Sequence, residues 1–211
     1  MMQTRTYRWM IAGVLLWLTT GSVMIASAVA GCLLPEEATG KSNPEDSTIN
    51  RKRIYNTVRT SEPPAIDGKL NDNCWLSGEW QSDYVQYTPV YGGSPSQKTE
   101  LKILYDDKSI FVAIRAYDDL EKMSRKLGRR DGFSGDLVGI QFDSYFDHRT
   151  AFEFDLTSAG QKLDVWVAND GWDMNWNAVW YGKVALEDSS WTAEFRIPLS
   201  QLRYGSSGDQ V

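Results

Sequence analysis

Between residues 101 and 197 the chain repeats one pattern: an apolar side chain at every second position, run after run. Phe152, Phe154 and Leu156 alternate with Glu153 and Asp155, Val138, Ile140 and Phe142 with Gly139, Gln141 and Asp143, and Trp191, Ala193, Phe195 and Ile197 with Thr192, Glu194 and Arg196. A period of two is that of an extended strand with one face against a core. No 3.6-residue periodicity is sustained, which excludes a helical bundle, and strands do not alternate with helices as a parallel α/β sheet requires. Turn residues separate the runs: Asp106-Asp107, Ser158-Ala159-Gly160-Gln161 and Glu187-Asp188-Ser189-Ser190. They predict hairpins joining 101–105 to 110–117, 152–156 to 163–167, and 179–186 to 191–197, where Pro198 stops the strand. In the last of these, Thr192, Glu194 and Arg196 are expected to face water. The one helical turn lies near Asp72 to Ser77, where an Asn71 or Asp72 cap precedes Trp75 and Leu76. The fold class is therefore all-β, an antiparallel β-sandwich.

The ends of the chain carry different information. Arg5 and Arg8 precede an apolar run from Trp9 to Leu18, and small residues follow up to Ala30, so residues 1–31 read as an export leader. An uncleaved membrane anchor over Met10 to Val29 is the alternative. Ala28-Val29-Ala30 suits an ordinary signal peptidase, whereas Val29-Ala30-Gly31-Cys32 resembles a bacterial lipobox, with Cys32 acylated and, since Leu33 rather than Asp follows, sorting to the outer membrane. If Cys32 carries lipid, Cys74 is a small buried apolar residue; if not, a Cys32–Cys74 disulfide is open in an oxidising compartment. Residues 32–51 hold Pro35, Glu36, Glu37, Gly40, Pro44, Glu45 and Asp46 with little to bury, and read as a flexible tether. Residues 52–211 hold the sandwich.

Charge narrows the partners. The whole chain has 22 basic and 28 acidic residues, and without the leader, which removes Arg5 and Arg8 and no acid, the balance is 20 against 28. Such a surface does not attract nucleic acid, and it favours neutral glycans or cations over anionic polymers. The single histidine, His148, leaves little for Ser-His or Cys-His chemistry, and its turn setting suits a surface residue better than a general base.

The segment Pro63-Pro64-Ala65-Ile66-Asp67-Gly68-Lys69-Leu70-Asn71-Asp72-Asn73-Cys74-Trp75 resembles the opening of family 9 carbohydrate-binding-like modules. Lys102 to Asp118, Gly135 to Asp143, and Trp191 to Pro198 resemble that family's later strands in the same order. The likeness spans residues 52–208 and is greatest to the version at the N-terminus of bacterial outer-membrane β-barrel proteins of unassigned function. It implies an exported module of a Gram-negative cell envelope, in the periplasm or outer membrane, with its own C-terminal barrel as a partner. It also implies that the sandwich lacks its last strand or strands, the chain being a fragment. In sugar-binding members two aromatic side chains hold the sugar; by motif register the first falls on Phe133, and the second lies after Val211.

A neutral polysaccharide or oligosaccharide presents an apolar C–H face and a rim of hydroxyls, so its site needs flat rings beside amides or carboxylates. Asn169 to Asn177 has that composition, with Trp172, Trp176 and Asn175 in a loop; packing at the end of the sandwich is the other reading of these tryptophans. Trp180, at a strand start, is expected in the core. Asp173-x-Asn175-x-Asn177 starts like a calcium loop, but Ala178 and Val184 stand where Gly and the bidentate Glu belong. A structural calcium on Asp118, Asp119 or Asp136 and plain turn carboxylates are both open; no other cofactor is expected. No pair of carboxylates stands in a hydrolase signature. The expectation is a non-catalytic module that binds a neutral glycan. The alternatives are an interaction or structural domain of the barrel protein with no sugar site, and an accessory module of a glycoside hydrolase in carbohydrate catabolism.

Overall fold

A computed structural model describes residues 53–132, 135–168 and 171–204. The leader, the tether through residue 51, Cys32 and Phe133 lie outside the described residues. The chain forms β1 (Val58–Arg59), a 3-10 turn (Asn73–Leu76), β2 (Thr99–Tyr105), β3 (Ser109–Tyr117), β4 (Leu137–Phe142), β5 (Thr150–Thr157), β6 (Lys162–Ala168), β7 (Gly171–Asp173), β8 (Tyr181–Leu186) and β9 (Ser190–Pro198), ending in a 3-10 turn at Leu199–Gln201. One sheet has the order β1-β2-β3-β9-β8, antiparallel except where β1 runs parallel to β2; the other has the order β4-β5-β6-β7 and is antiparallel throughout. This is the all-β sandwich that the alternation predicts, and the three predicted hairpins are present.

The main core is made by the inward rows of both sheets. Ile103, Val112, Ile114, Ala193, Phe195 and Ile197 of one sheet meet Val138, Ile140, Phe142, Phe152, Phe154 and Leu156 of the other. Trp180 is buried among them as expected, its indole stacked on Phe195 at 5.7 Å and edge-on to Phe154 at 5.5 Å. The third hairpin begins at Tyr181; Val179 lies before it and is exposed.

The outward face of β9 departs from expectation. Thr192 and Glu194 do not face water: both are fully enclosed, and of the three residues only Arg196 is exposed. A second layer covers them. The chain from Val58 to Trp80 crosses the outer face of the five-stranded sheet and builds a smaller core of Cys74, Trp75, Leu104, Phe111 and Ala113, with Val58, Ile66, Leu70 and Trp80 against it. Cys74 is a free, buried thiol in this layer. Ile66 lies in irregular chain, and Trp75 covers the sheet face.

Glu194 is the centre of that layer. Its Oε2 accepts the backbone N–H groups of Asp67 (3.0 Å) and Gly68 (2.8 Å), and its Oε1 accepts the indole N–H of Trp75 (2.8 Å). The Thr192 hydroxyl donates to the Gly68 carbonyl at 2.7 Å. Gly68 has φ +91°, and a Cβ there would sit 2.5 Å from the backbone carbon of Val184, so only glycine fits. The 3-10 turn has no side-chain cap on its own N–H groups; the Asp72 carboxylate instead accepts Ala65 N–H at 3.0 Å.

Candidate functional site

On the outer face of the four-stranded sheet the centre is enclosed, with Ala151, Asp155, Thr157, Leu163 and Val165 buried, while Trp172 at the β7 edge is open to solvent. Strand register assigns its side chains: Phe152, Phe154 and Leu156 point to the core, so Ala151, Glu153, Asp155 and Thr157 point outward. Gln141, Glu153 and Val165 form one cross-strand row, and Ala151, Val167 and Trp172 form the next. Trp172 thus stands on the same face as Glu153. Two strand spacings sideways and one pleat along separate their backbones by about 12 Å, the scale of a sugar ring held between side chains.

The segment expected to be a loop around Trp172 contains β7, a three-residue edge strand. Pairing with Val167 aims the Trp172 side chain outward, where it is 47% exposed. Trp176, four residues on, turns the other way: its half-buried ring packs on Phe152 at 5.1 Å and Phe154 at 5.6 Å, closing the main core. The two indoles therefore lie on opposite faces of the sheet. Asn175 is exposed at the turn after β7, its amide nitrogen donating to Asp173 Oδ1 at 3.1 Å and its backbone N–H to the same oxygen at 2.9 Å.

Glu153 and Asp155 were not singled out by the sequence, yet they are the most perturbed groups on this face. Asp155 is 2% exposed, and its carboxyl lies over Gly139, where a Cβ would be 1.6 Å from Oδ1. The two carboxyls hydrogen-bond to each other, which requires a shared proton, while Glu153 Oε2 and Asp155 Oδ2 have no hydrogen-bond partner among the described residues. Burial, then the neighbouring Glu153 charge, pushes Asp155 well above the usual carboxylate range; burial also raises Glu153. A signal for the pair was available: two acids at i and i+2 on a strand opposite a glycine.

The remaining candidates are accounted for locally. Asp119 pairs with Lys122 at 2.6 Å, Asp118 accepts Asp119 N–H, and Asp136 accepts Ser124 N–H. Among the described residues no group of three or more His, Cys, Asp or Glu side chains could hold a metal ion. His148 is an exposed turn residue with φ +57°, its Nδ1 3.9 Å from Asp143. On the inner side, the fully buried Asp164 carboxylate accepts from Arg130 (2.6 Å), Ala178 N–H (2.6 Å) and the Trp180 indole (3.2 Å), and so fixes the turn between β7 and β8.

A family model described as carbohydrate family 9 binding domain-like matches residues 66–211. The chain belongs to that family. Among solved structures, a putative carbohydrate-binding protein from Bacteroides uniformis ATCC 8492 matches this family 9 domain with a TM-score of 0.53 and 16% identity, over 71% of this chain and 75% of that one. A family 9 carbohydrate-binding module from Caldicellulosiruptor kristjanssonii matches in its complex with glucose (TM-score 0.49, 21% identity, 71% and 72% of the two chains) and with cellotriose (0.48, 19%, 74% and 80%). A search of curated proteins finds no match. Family 9 domains of this kind are binding modules, and the resemblance read from the Pro63 to Trp75 segment is thereby established at the level of the family.

Proposed function

We propose that this domain is the non-catalytic carbohydrate-binding module of an exported cell-envelope protein, and that it binds a neutral glycan on the outer face of the four-stranded sheet. The sugar's C–H face lies on Trp172, and its hydroxyls donate to Glu153 and exchange hydrogen bonds with Gln141. Asn175 borders the same edge, Trp176 supports the β7 turn from inside, and Phe133 is proposed as a glycan contact on the family resemblance alone. The observation that carries this reading is an indole half in solvent at the edge of the same face that carries Glu153 and Gln141. Stacking on that indole compensates the hydration that both partners lose.

The test is migration of the intact protein through gels containing neutral polysaccharides, with glucose and cellotriose as soluble competitors. Trp172→Ala, which removes an exposed side chain and leaves the core intact, should abolish retardation without lowering the unfolding midpoint. Unchanged retardation would end the assignment to this face. The export leader, lipidation at Cys32 and a C-terminal barrel partner in the outer membrane or periplasm complete the proposal; membrane fractionation of cells making the natural protein and a Cys32→Ser variant tests them, with equal partitioning of the two counting against the lipid anchor.

A further inference from the structure

A groove of about 490 Å³ opens at the free edge of β8 and reaches the start of β6 in the other sheet, lined by Pro64, Ala65, Ile66, Lys162, Trp180, Tyr181, Gly182, Lys183 and Arg196. Three of these side chains are cationic and none is acidic, in a protein whose overall charge is negative. Among the described residues, no carboxylate forms an ion pair with Lys162, Lys183 or Arg196. Arg196 spends only Nε, at 3.4 Å from Ser109 Oγ, and leans on the Tyr181 ring with Cζ 5.6 Å from the centroid, so both terminal guanidinium nitrogens are unspent. Lys162 donates to the Trp180 carbonyl at 2.5 Å and lies 4.3 Å over that indole; burial, then the nearby Arg130 charge, lowers its pKa. Lys183 stands opposite Glu194 in the strand register, but both oxygens of Glu194 are already taken by three N–H donors. The two carboxylates that act on Lys162, those of Asp164 and Asp131, are both paired with Arg130, so the repulsion among the gathered cations is relieved by an anion.

We propose that this groove binds the carboxylate of an acidic sugar, a hexuronate unit of a glycan, with Arg196 as the bidentate partner, Lys183 and Lys162 as the flanking charges, and the sugar ring lying between Tyr181 and the Pro64–Ile66 edge. A planar carboxylate matches the free fork of Arg196. The apolar wall and the phenol ring, 54% exposed, give a ring-shaped ligand a surface that a bare anion would not use, and the volume is within the range of small-molecule sites. Lys162 stands at the opposite end of β6 from the pairing that positions Trp172, and the inference stands independently of the neutral-glycan reading.

Isothermal titration of the intact protein with trigalacturonate, cellotriose and inorganic phosphate tests it. Trigalacturonate should bind, Arg196→Gln and Lys183→Gln should each weaken it at least tenfold, and Trp172→Ala should leave it unchanged; both charge substitutions are at exposed positions, and circular dichroism checks that each variant folds. Failure of trigalacturonate to bind the natural protein overturns the proposal. So does phosphate binding as tightly as trigalacturonate, which would mark a plain anion site, or trigalacturonate binding that both charge variants retain and Trp172→Ala loses. Cellotriose binding that Trp172→Ala abolishes and the charge variants spare reports on the other face alone, and its loss would leave this site standing.

Discussion

Replacing Glu194 by Gln should flatten the dependence of stability on pH. Burial pushes the Glu194 carboxyl from its ordinary 4.5 up to about 7, against the pull of the three N–H groups from Trp75, Gly68 and Asp67 that favour the anion. Between pH 4.5 and 7 the native protein therefore holds a proton that the unfolded chain has released. Stability from this group is fully present below pH 4.5, falls as pH rises through 7, and is level above it. A shift of this size corresponds to about 3 kcal/mol, and to about 2 kcal/mol once solvent screening at the edge of the cover is discounted. Gln carries no charge in either state, so its variant lacks that slope. It also turns an amide donor toward one of the three native donors, at a cost of about 1–3 kcal/mol that does not vary with pH. Urea unfolding followed by tryptophan fluorescence at pH 4.5 and pH 8 reads both effects, a difference of 2 kcal/mol moving the midpoint by about 1 M. Glu153 and Asp155 titrate in the same direction, but they are present in both proteins and cancel in the comparison. Parallel slopes for the two proteins would refute the placement of a buried, titrating carboxyl beneath the Ile66–Trp75 segment.

Other substitutions probe the same two layers. Gly68→Ala forces an L side chain to φ +91° with its Cβ 2.5 Å from the Val184 carbonyl carbon; the displaced turn loses its hold on Glu194, and urea unfolding should show a loss of about 3 kcal/mol or more. Asp155→Asn removes one of two buried acids that repel each other, and lets an amide donate to Glu153. Because the folded pKa of Asp155 is raised, the natural protein loses stability from this group as pH rises, so the variant should gain about 1 kcal/mol at pH 8 and little at pH 4.5. A lower urea midpoint at pH 8 would contradict this.

The strands were legible because their signal is local. In Leu137–Phe142, Thr150–Thr157 and Ser190–Pro198 the period of two and the flanking turn residues act over a few positions, and they agree with the tertiary fold. Glu194 was misjudged because alternation reports only that a residue points away from the main core. Its burial depends on Gly68, 126 positions earlier, arriving over it. β7 was missed because three residues are too few to display a period, and with it went the distinction between Trp172 and Trp176. In sequence they sit four apart in one polar stretch; pairing with Val167 sends the first outward, and the return of the chain to the core sends the second against Phe152.

The two outer faces of the sandwich carry similar chemistry and end in opposite conditions. Each has buried acid at its centre: Glu194 beneath the 58–80 segment, Asp155 with Glu153 on the other sheet. Glu194 has every oxygen engaged, by donors that the chain itself delivers. Asp155 and Glu153 each keep one enclosed oxygen without a partner among the described residues, on the face whose edge carries an indole half in solvent. A protein that can cap a buried carboxylate with its own backbone on one face, and leaves carboxyls short of donors on the other, has put its unmet hydrogen-bonding capacity in one place. A neutral ligand with an apolar face to lay on Trp172 and hydroxyls to meet Gln141 and Asn175 suits the second face, whereas a ligand bearing a carboxylate would be repelled by its acids and is matched instead by the cations at the edge of β8.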